Sequence, residues 1–460
     1  MNSLLKSMIA SISSMCILFT CGNVITSSAD ESVSSSVDVD SIYQSLSNEE
    51  ITDLKAQGRC STAYGEFLNE LPNNYTPMFS AIEESAEYVY PEDYAGTYYN
   101  QYDDNKMTLY LTNFDNLNYY QTFFDSDICH FELVEYSYND LTTLFDYLSY
   151  SMVELDLNTV SIDELNNCVK VGINEDMSNK DIIDYVESLG YDIGMVTFEY
   201  NVREETIVEN VITDDIKIDL NNQTYTTSAN TSYSANSGSI IFSYDEDLTN
   251  FTGTIVPNSW ATIGYNAYNS STNQYGIVTA GHFLSNNTDN YLYNEDGILI
   301  NKNQNGCIYY NDSNVDAAFI PANSGNKLIP SLYIENYLTG DIYILQKEQS
   351  TLSPAMVNMT VYSFGVTTGM QKGTISDMTA SFSVAESGIT ISNCIEVDFT
   401  IQPGDSGGPL AFYTIQDTPR MAVMGICKGY SYYGSTSYFV KVNTINKYLG
   451  VTMYSYDYTN

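Results

Sequence analysis

Histidine is nearly absent from this chain: His130 and His282 are the only two in 460 residues. Chemistry that rests on an imidazole therefore has two places to be, and a site built from several histidine ligands has none. Basic side chains are scarce too, with 16 Lys and Arg against 58 Asp and Glu and a formal net charge of -42. Such a surface repels phosphate backbones and anionic membranes, which speaks against nucleic acid as a partner. A charged fraction of only 16% argues against a high-salt surface and leaves solubility as the plain reading of the acidity. Cysteines at metal-ligand spacing are missing, so no zinc site is implied. Beyond the N-terminus no run reaches ~18 uninterrupted apolar residues, so no membrane span is expected.

What is present is uneven. Residues 1–235 carry 40 acidic and 8 basic side chains, net -32, whereas 236–460 carry 18 and 8, net -10. The length calls for two or more domains, and the change of composition puts a boundary near 236. Residues 1–29 join Lys6, an apolar stretch from Met8 to Phe19 and small residues at Ser27-Ser28-Ala29, which reads as a secretory signal peptide. Lipid attachment at Cys21 is the alternative, although Thr20 fits that motif poorly.

From Asp30 to about Glu50 the composition predicts disorder, with order beginning near Ile51. Lys106 to Thr112 alternates as a half-buried strand does, and Asn139 to Met152 carries apolar residues at helical spacing behind an Asn139-Asp140 cap. Val160 to Ile173 reads as a short helix followed by a strand at Val169–Ile173, and Ser178 to Leu189 as a capped amphipathic helix. Residues 30–220 are thus an acidic α+β region. Asn221 to Gly238 lacks any apolar period and reads as an exposed linker, 221–237, where cleavage would fall. From 238 to 460 short strands alternate with turn clusters, the pattern of an all-β fold.

Gln402-Pro403-Gly404-Asp405-Ser406-Gly407-Gly408-Pro409-Leu410 packs three glycines and two prolines around one serine, a turn that displays a hydroxyl and nearby amides. A serine needs an adjacent base to become nucleophilic near neutral pH. His282 ends Gly276-Ile277-Val278-Thr279-Ala280-Gly281-His282, an apolar strand running into a small-residue turn. His130, in alternating strand-like sequence, reads as structural. Asp316, in Asn314-Val315-Asp316-Ala317-Ala318-Phe319-Ile320, is a single acid entering an apolar run.

Together these motifs, in the order His282, Asp316, Ser406, resemble those of chymotrypsin-like serine proteases. Gly365-Val366-Thr367-Thr368-Gly369 through Ile375 and the tail Tyr438 to Tyr454 narrow the resemblance to the bacterial branch of alpha-lytic protease and the streptogrisins. It covers roughly 238–455 and implies an all-β double six-stranded barrel preceded by an α+β pro-region or accessory domain. It implies a secreted serine endopeptidase, made as a precursor and acting on protein or peptide substrates. His282, Asp316 and Ser406 would be catalytic, the amides of Gly404 and Ser406 would form the oxyanion hole, and no cofactor is required. The N-terminal region would serve as intramolecular chaperone or inhibitor. A protease fold that binds a surface without turnover, with a binding module at its N-terminus, is the competing reading.

Departures bear on specificity and redox state. Family members usually have a cysteine after the histidine, where this chain has Phe283. Cys307, Cys394 and Cys427 are an odd set, so at least one thiol is free or pairs with another segment. By analogy Thr400, Lys428 and Tyr430 border the substrate pocket. Lys428 reads first as facing solvent, otherwise as favouring an acidic substrate side chain.

Overall fold

A capping box opens the first ordered element: Ser47 Oγ accepts from the Glu50 amide at 3.1 Å, and the Ser47 amide donates to Glu50 Oε2 at 2.9 Å. Behind it helix α1 runs Asn48–Glu70 and buries Leu54, Ala56, Cys60, Tyr64, Phe67 and Leu68, apolar side chains at helical spacing. The structure, a computed structural model, describes residues 46–72, 88–100, 105–174, 178–200, 218–219, 232–245, 247–248, 254–255, 257–285, 291–313, 315–322, 326–345, 356–384, 389–415, 419–430 and 436–454. The expected signal peptide, its alternative at Cys21 and residues 221–231 of the expected linker lie outside the described residues.

After α1 come β1 (Tyr94–Asn100), β2 (Lys106–Leu111), α2 (Leu117–Tyr120), β3 (Cys129–Leu133), α3 (Tyr138–Tyr150), β4 (Thr159–Asp163), β5 (Cys168–Ile173), α4 (Lys180–Ser188) and β6 (Val196–Tyr200). Strands β1 to β3 form one sheet. Two expectations are corrected here. Ser137, not Asn139, caps α3, accepting from the Asp140 amide at 3.1 Å. The expected helix after Val160 is instead the antiparallel hairpin β4–β5, which Asn167 helps to turn at φ +50.

The remaining elements are mostly strands: β7 (Ile218–Asp219), β8 (Ser232–Ser237), β9 (Ile240–Tyr244), β10 (Thr254–Ile255), β11 (Ser259–Thr262), β12 (Tyr265–Asn269) and β13 (Gln274–Thr279). Helix α5 (Gly281–Ser285) leads to β14 (Tyr291–Asn294), β15 (Leu299–Lys302), β16 (Ile308–Asn311), β17 (Asp316–Pro321), β18 (Lys327–Asn336) and β19 (Asp341–Ile344). The chain continues through β20 (Thr360–Gly365), β21 (Gly369–Val384), β22 (Ile389–Val397), β23 (Pro409–Ile415), β24 (Pro419–Tyr430), β25 (Ser437–Lys441), α6 (Val442–Leu449) and β26 (Thr452–Met453).

One sheet has the order β16-β17-β13-β12-β26 and another β11-β9-β14-β15. Nine strands form the largest, in the order β20-β23-β24-β25-β22-β21-β4-β5-β6, and β21 also pairs with β20. The pairings among β20 to β25 therefore close on themselves, and β4 to β6 extend them outward. Strand β8 lies within the expected linker. It pairs in parallel with β18 and buries Tyr233 and Ala235, so the part from Ser232 on is sheet rather than exposed coil.

The N-terminal elements share a core with the β20 to β25 strands: Tyr64, Phe67, Leu144 and Val171 belong to the same apolar cluster as Val361, Leu410, Met424 and Phe439. Polar contacts cross the same seam. The Thr360 amide donates to Gln57 Oε1 at 3.0 Å, and Lys372 Nζ lies 2.6 Å from Glu50 Oε1. Residues 40–460 form one compact unit. No described helix is long and apolar enough to cross a membrane.

Candidate active site

Antiparallel pairing of β13 with β17 sets Thr279 opposite Ala318. Continued by two residues, that register brings Gly281 and His282 to the head of β17, where Asp316 stands. Gly281 has to be a glycine: a Cβ there would strike the Tyr310 carbonyl oxygen and come within 2.9 Å of Asp316 Oδ1. Asp316 Oδ2 lies 2.6 Å from His282 Nδ1, and Oδ1 accepts from the His282 amide at 2.7 Å. Both residues are buried, His282 to 1% exposure and Asp316 to 0%. Burial alone would push the Asp316 carboxyl up, but His282 and Lys428 beside it hold it well below the usual carboxylate range. With Nδ1 donating to the carboxylate, Nε2 is the atom left to take a proton. Among the described residues no hydrogen bond reaches Nε2, so the Ser406 hydroxyl is not bonded to the imidazole in this state.

Ser406 stands between Gly404 at φ +99 and Gly407 at φ +85, conformations that favour glycine on both sides. Its loop sits against the strand that delivers His282. The Thr262 amide donates to the Ser406 carbonyl at 2.9 Å, and a Cβ on Gly407 would collide with Thr279 Oγ1 and lie 2.7 Å from the Ala280 nitrogen. Strand β24 clamps the other side: the Gly407 amide donates to the Cys427 carbonyl at 2.9 Å, and the Cys427 amide to the Gly408 carbonyl at 2.8 Å.

Asp405 anchors the loop from beneath. It is fully buried, and its carboxylate accepts from the amides of Thr367 at 2.8 Å, Thr368 at 3.1 Å and Gln402 at 2.9 Å, and from Thr368 Oγ1 at 2.8 Å. Burial still raises this carboxyl above its ordinary value, against those four donors. Sequence reasoning named the Gly365 to Ile375 hairpin without seeing this role. The signal lay in Thr367-Thr368, two hydroxyl residues at a turn beside a motif with a buried acid.

Lys428 is the residue the sequence misplaced. Its side chain is 3% exposed, and Nζ lies 2.7 Å from Asp316 Oδ2, turned away from solvent. The cause is local: β24 pairs Cys427 with Phe439 and Gly429 with Tyr438, so Lys428 is the extra residue of a bulge that re-aims its side chain inward. Thr400 is exposed, and Tyr430 is half-buried with its ring packed on the core shared with the N-terminal elements. His130 is exposed on β3, in a sheet separate from the one that carries Asp316. The six described cysteines, Cys60, Cys129, Cys168, Cys307, Cys394 and Cys427, are all free thiols. Among the described residues no group of acids, histidines and cysteines is arranged to hold a metal.

No protein-family model and no curated protein matches the chain. Its structural neighbours include bacterial chymotrypsin-like serine proteases of low sequence identity. Thermobifida fusca protease A matches at TM-score 0.34 and 19% identity over 48% of this chain and 100% of that one. A Cellulomonas bogoriensis chymotrypsin matches at 0.33 and 21% over 48% and 100%. An alpha-lytic protease homolog gives 0.35 and 17% over the same shares.

Proposed function

We propose that the chain is the precursor of a secreted serine endopeptidase, with residues 1–29 as its signal peptide and the catalytic part, from about 232, folded as two six-stranded barrels with the site between them. One observation carries this reading: the buried bond between His282 Nδ1 and Asp316 Oδ2, which leaves Nε2 as base beside a glycine-framed serine loop. Ser406 Oγ attacks the scissile carbonyl carbon while Nε2 of His282 takes its proton. The imidazolium then protonates the leaving amine as the C–N bond breaks, and water releases the acyl group by the same steps in reverse roles. Asp316 holds the tautomer and stabilises the imidazolium. The amides of Gly404 and Ser406 would bind the developing oxyanion, each contributing about 3–4 kcal/mol.

Burial supports a latent state. His282 and Ser406 are both buried, at 1% and 4% exposure, which fits a site restrained in the precursor. In this reading the N-terminal region, joined to the β20 to β25 strands through β4 and a common core, assists their folding and restrains activity until it is removed. A fluorophosphonate probe tests the chemistry directly. The matured enzyme should be labelled at Ser406 and hydrolyse peptides, and Ser406→Ala should lose both while keeping its circular dichroism. Peptide turnover by a folded Ser406→Ala variant would end the proposal, and a matured wild type with neither labelling nor turnover would replace it with a binding role.

A further inference from the structure

Three ionisable side chains meet where the proposed reaction needs two. Lys428 Nζ touches Asp316 Oδ2 at 2.7 Å, the same oxygen that His282 Nδ1 approaches at 2.6 Å, and it also lies 3.5 Å from Asn311 Oδ1. The strand around it is Met421-Ala422-Val423-Met424-Gly425-Ile426-Cys427, apolar and buried. A lysine held at 3% exposure in such surroundings needs a compensating charge, and Asp316 is the carboxylate in contact with it.

We infer that Lys428 is a positioning residue of the triad: its ammonium fixes the Asp316 carboxylate and lowers the affinity of His282 for a proton. The inference rests on the endopeptidase reading of the same site and deepens it. Its logic is a charge count. With His282 neutral, Lys428 and Asp316 sum to zero. Protonating the imidazole then leaves a net positive charge in a buried place, whereas without Lys428 the same proton would neutralise the pair. Like charge at short range disfavours the second cation, so the imidazole stays a free base to lower pH than a bare His–Asp pair allows.

Neighbouring groups do not supply that effect. Cys394 on β22 and Cys427 on β24 interact with Lys428 and Asp316, but burial pushes both thiols up, Cys394 to about 12, which keeps them uncharged. Asp405 is occupied by its four donors, and Lys441 Nζ bonds Asn393 Oδ1. Elements packed on α5 and β17 add Tyr275 from β13, Lys302 from β15, Tyr309 and Tyr310 from β16 and Lys447 and Tyr448 from α6, all unchanged in the variants below.

Histidine-selective ¹⁵N labelling of the full chain gives two imidazoles to follow, assigned with His130→Ala. In Lys428→Met the titration midpoint of His282 should rise by about one to two pH units while that of His130 stays put. Lys428→Gln, which keeps a donor for Asp316 without the charge, should show the same rise and covers the case in which Lys428→Met fails to fold. On peptide substrates the acidic limb of kcat/KM should move up by a matching amount in both, and stay in place in Lys428→Arg. An unmoved or lowered His282 midpoint overturns the inference whatever the activity. A matured wild-type enzyme, freed of its N-terminal region, that neither labels with fluorophosphonate nor cleaves peptides would sink the endopeptidase reading instead, and the titration would still decide the role of Lys428.

Discussion

Glu164 and Asp377, each 2% exposed, repel one another across the seam where the hairpin β4–β5 meets β21. Glu164 belongs to the N-terminal region and Asp377 to the strand that carries the β20 to β25 ring onward, so two acids are buried at the junction. Burial first, then Asp377, raises the Glu164 carboxyl well above its ordinary value, and burial raises Asp377 in spite of its bonds from Thr379. Neither Glu164 oxygen has a hydrogen-bond partner among the described residues.

A pH dependence follows, and its sign is fixed. Below the ordinary carboxylate range both folded and unfolded chains hold these protons, and the pair costs nothing extra. As pH rises above about 4.5 the unfolded chain releases its protons and the folded one does not, so stability falls until the folded groups ionise. Glu164→Gln should flatten that slope and raise stability near pH 8 by about 1–3 kcal/mol. Urea unfolding of the full chain between pH 4.5 and 8, in a Ser406→Ala background to prevent autolysis, measures it. A Glu164→Gln chain less stable than its parent at pH 8 would contradict the account.

Gly281→Ala tests the geometry of the pair His282–Asp316. The added methyl meets the Tyr310 carbonyl oxygen and Asp316 Oδ1, so either β16 or Asp316 must shift. We expect a loss of about 1–3 kcal/mol in stability and at least a hundredfold in kcat/KM, because a displacement near 1 Å in a catalytic pair costs about that much. Wild-type kinetics in this variant would show that the contact does not position the acid.

His130→Ala should leave kcat/KM of the matured enzyme within twofold of wild type. His130 is exposed on β3, and its strand belongs to a sheet of the N-terminal region. A loss as large as that of His282→Ala would identify the wrong histidine as the base.

The site was legible in the sequence where geometry is local. Small residues around Ser406 and before His282 are needed by the backbone at those points, and they mark the turns. Lys428 was not legible, because a bulge decides the direction of its side chain and a bulge is a property of two strands together. Strand β8 was hidden by composition: Ser232, Ser234 and Asn236 alternate with buried Tyr233 and Ala235, a period that polar residues mask. For α1 the signal was present, in Ser47 and Glu50 three residues apart, but the acidic stretch before it drew the reading toward disorder. In the hairpin β4–β5 the apolar spacing after Val160 imitates a helix, and Asn166-Asn167 is the turn signal that opposes it.

If the N-terminal region is a pro-region, the chain is cut upstream of Ser232, since Tyr233 and Ala235 of β8 are buried with Ile320 and Leu328 and a cut within them would open that core. The secreted product should then begin between about residues 220 and 232, and Ser406→Ala should accumulate uncut if the cleavage is autolytic. Phe382 pairs with Thr159 and Ser381 with Val160, so β21 finds its partner strand in the segment that is lost. A chain of 232–460 made alone should therefore give little active enzyme, and residues 40–220 supplied separately should restore it. Ser381→Pro, which removes a backbone donor from β21, should weaken that rescue while leaving already matured enzyme less affected. Mass spectrometry of the secreted product and recovery of fluorophosphonate labelling measure the two halves. A short chain that folds and labels unaided, beside a long form that persists outside the cell, would instead favour a retained binding module.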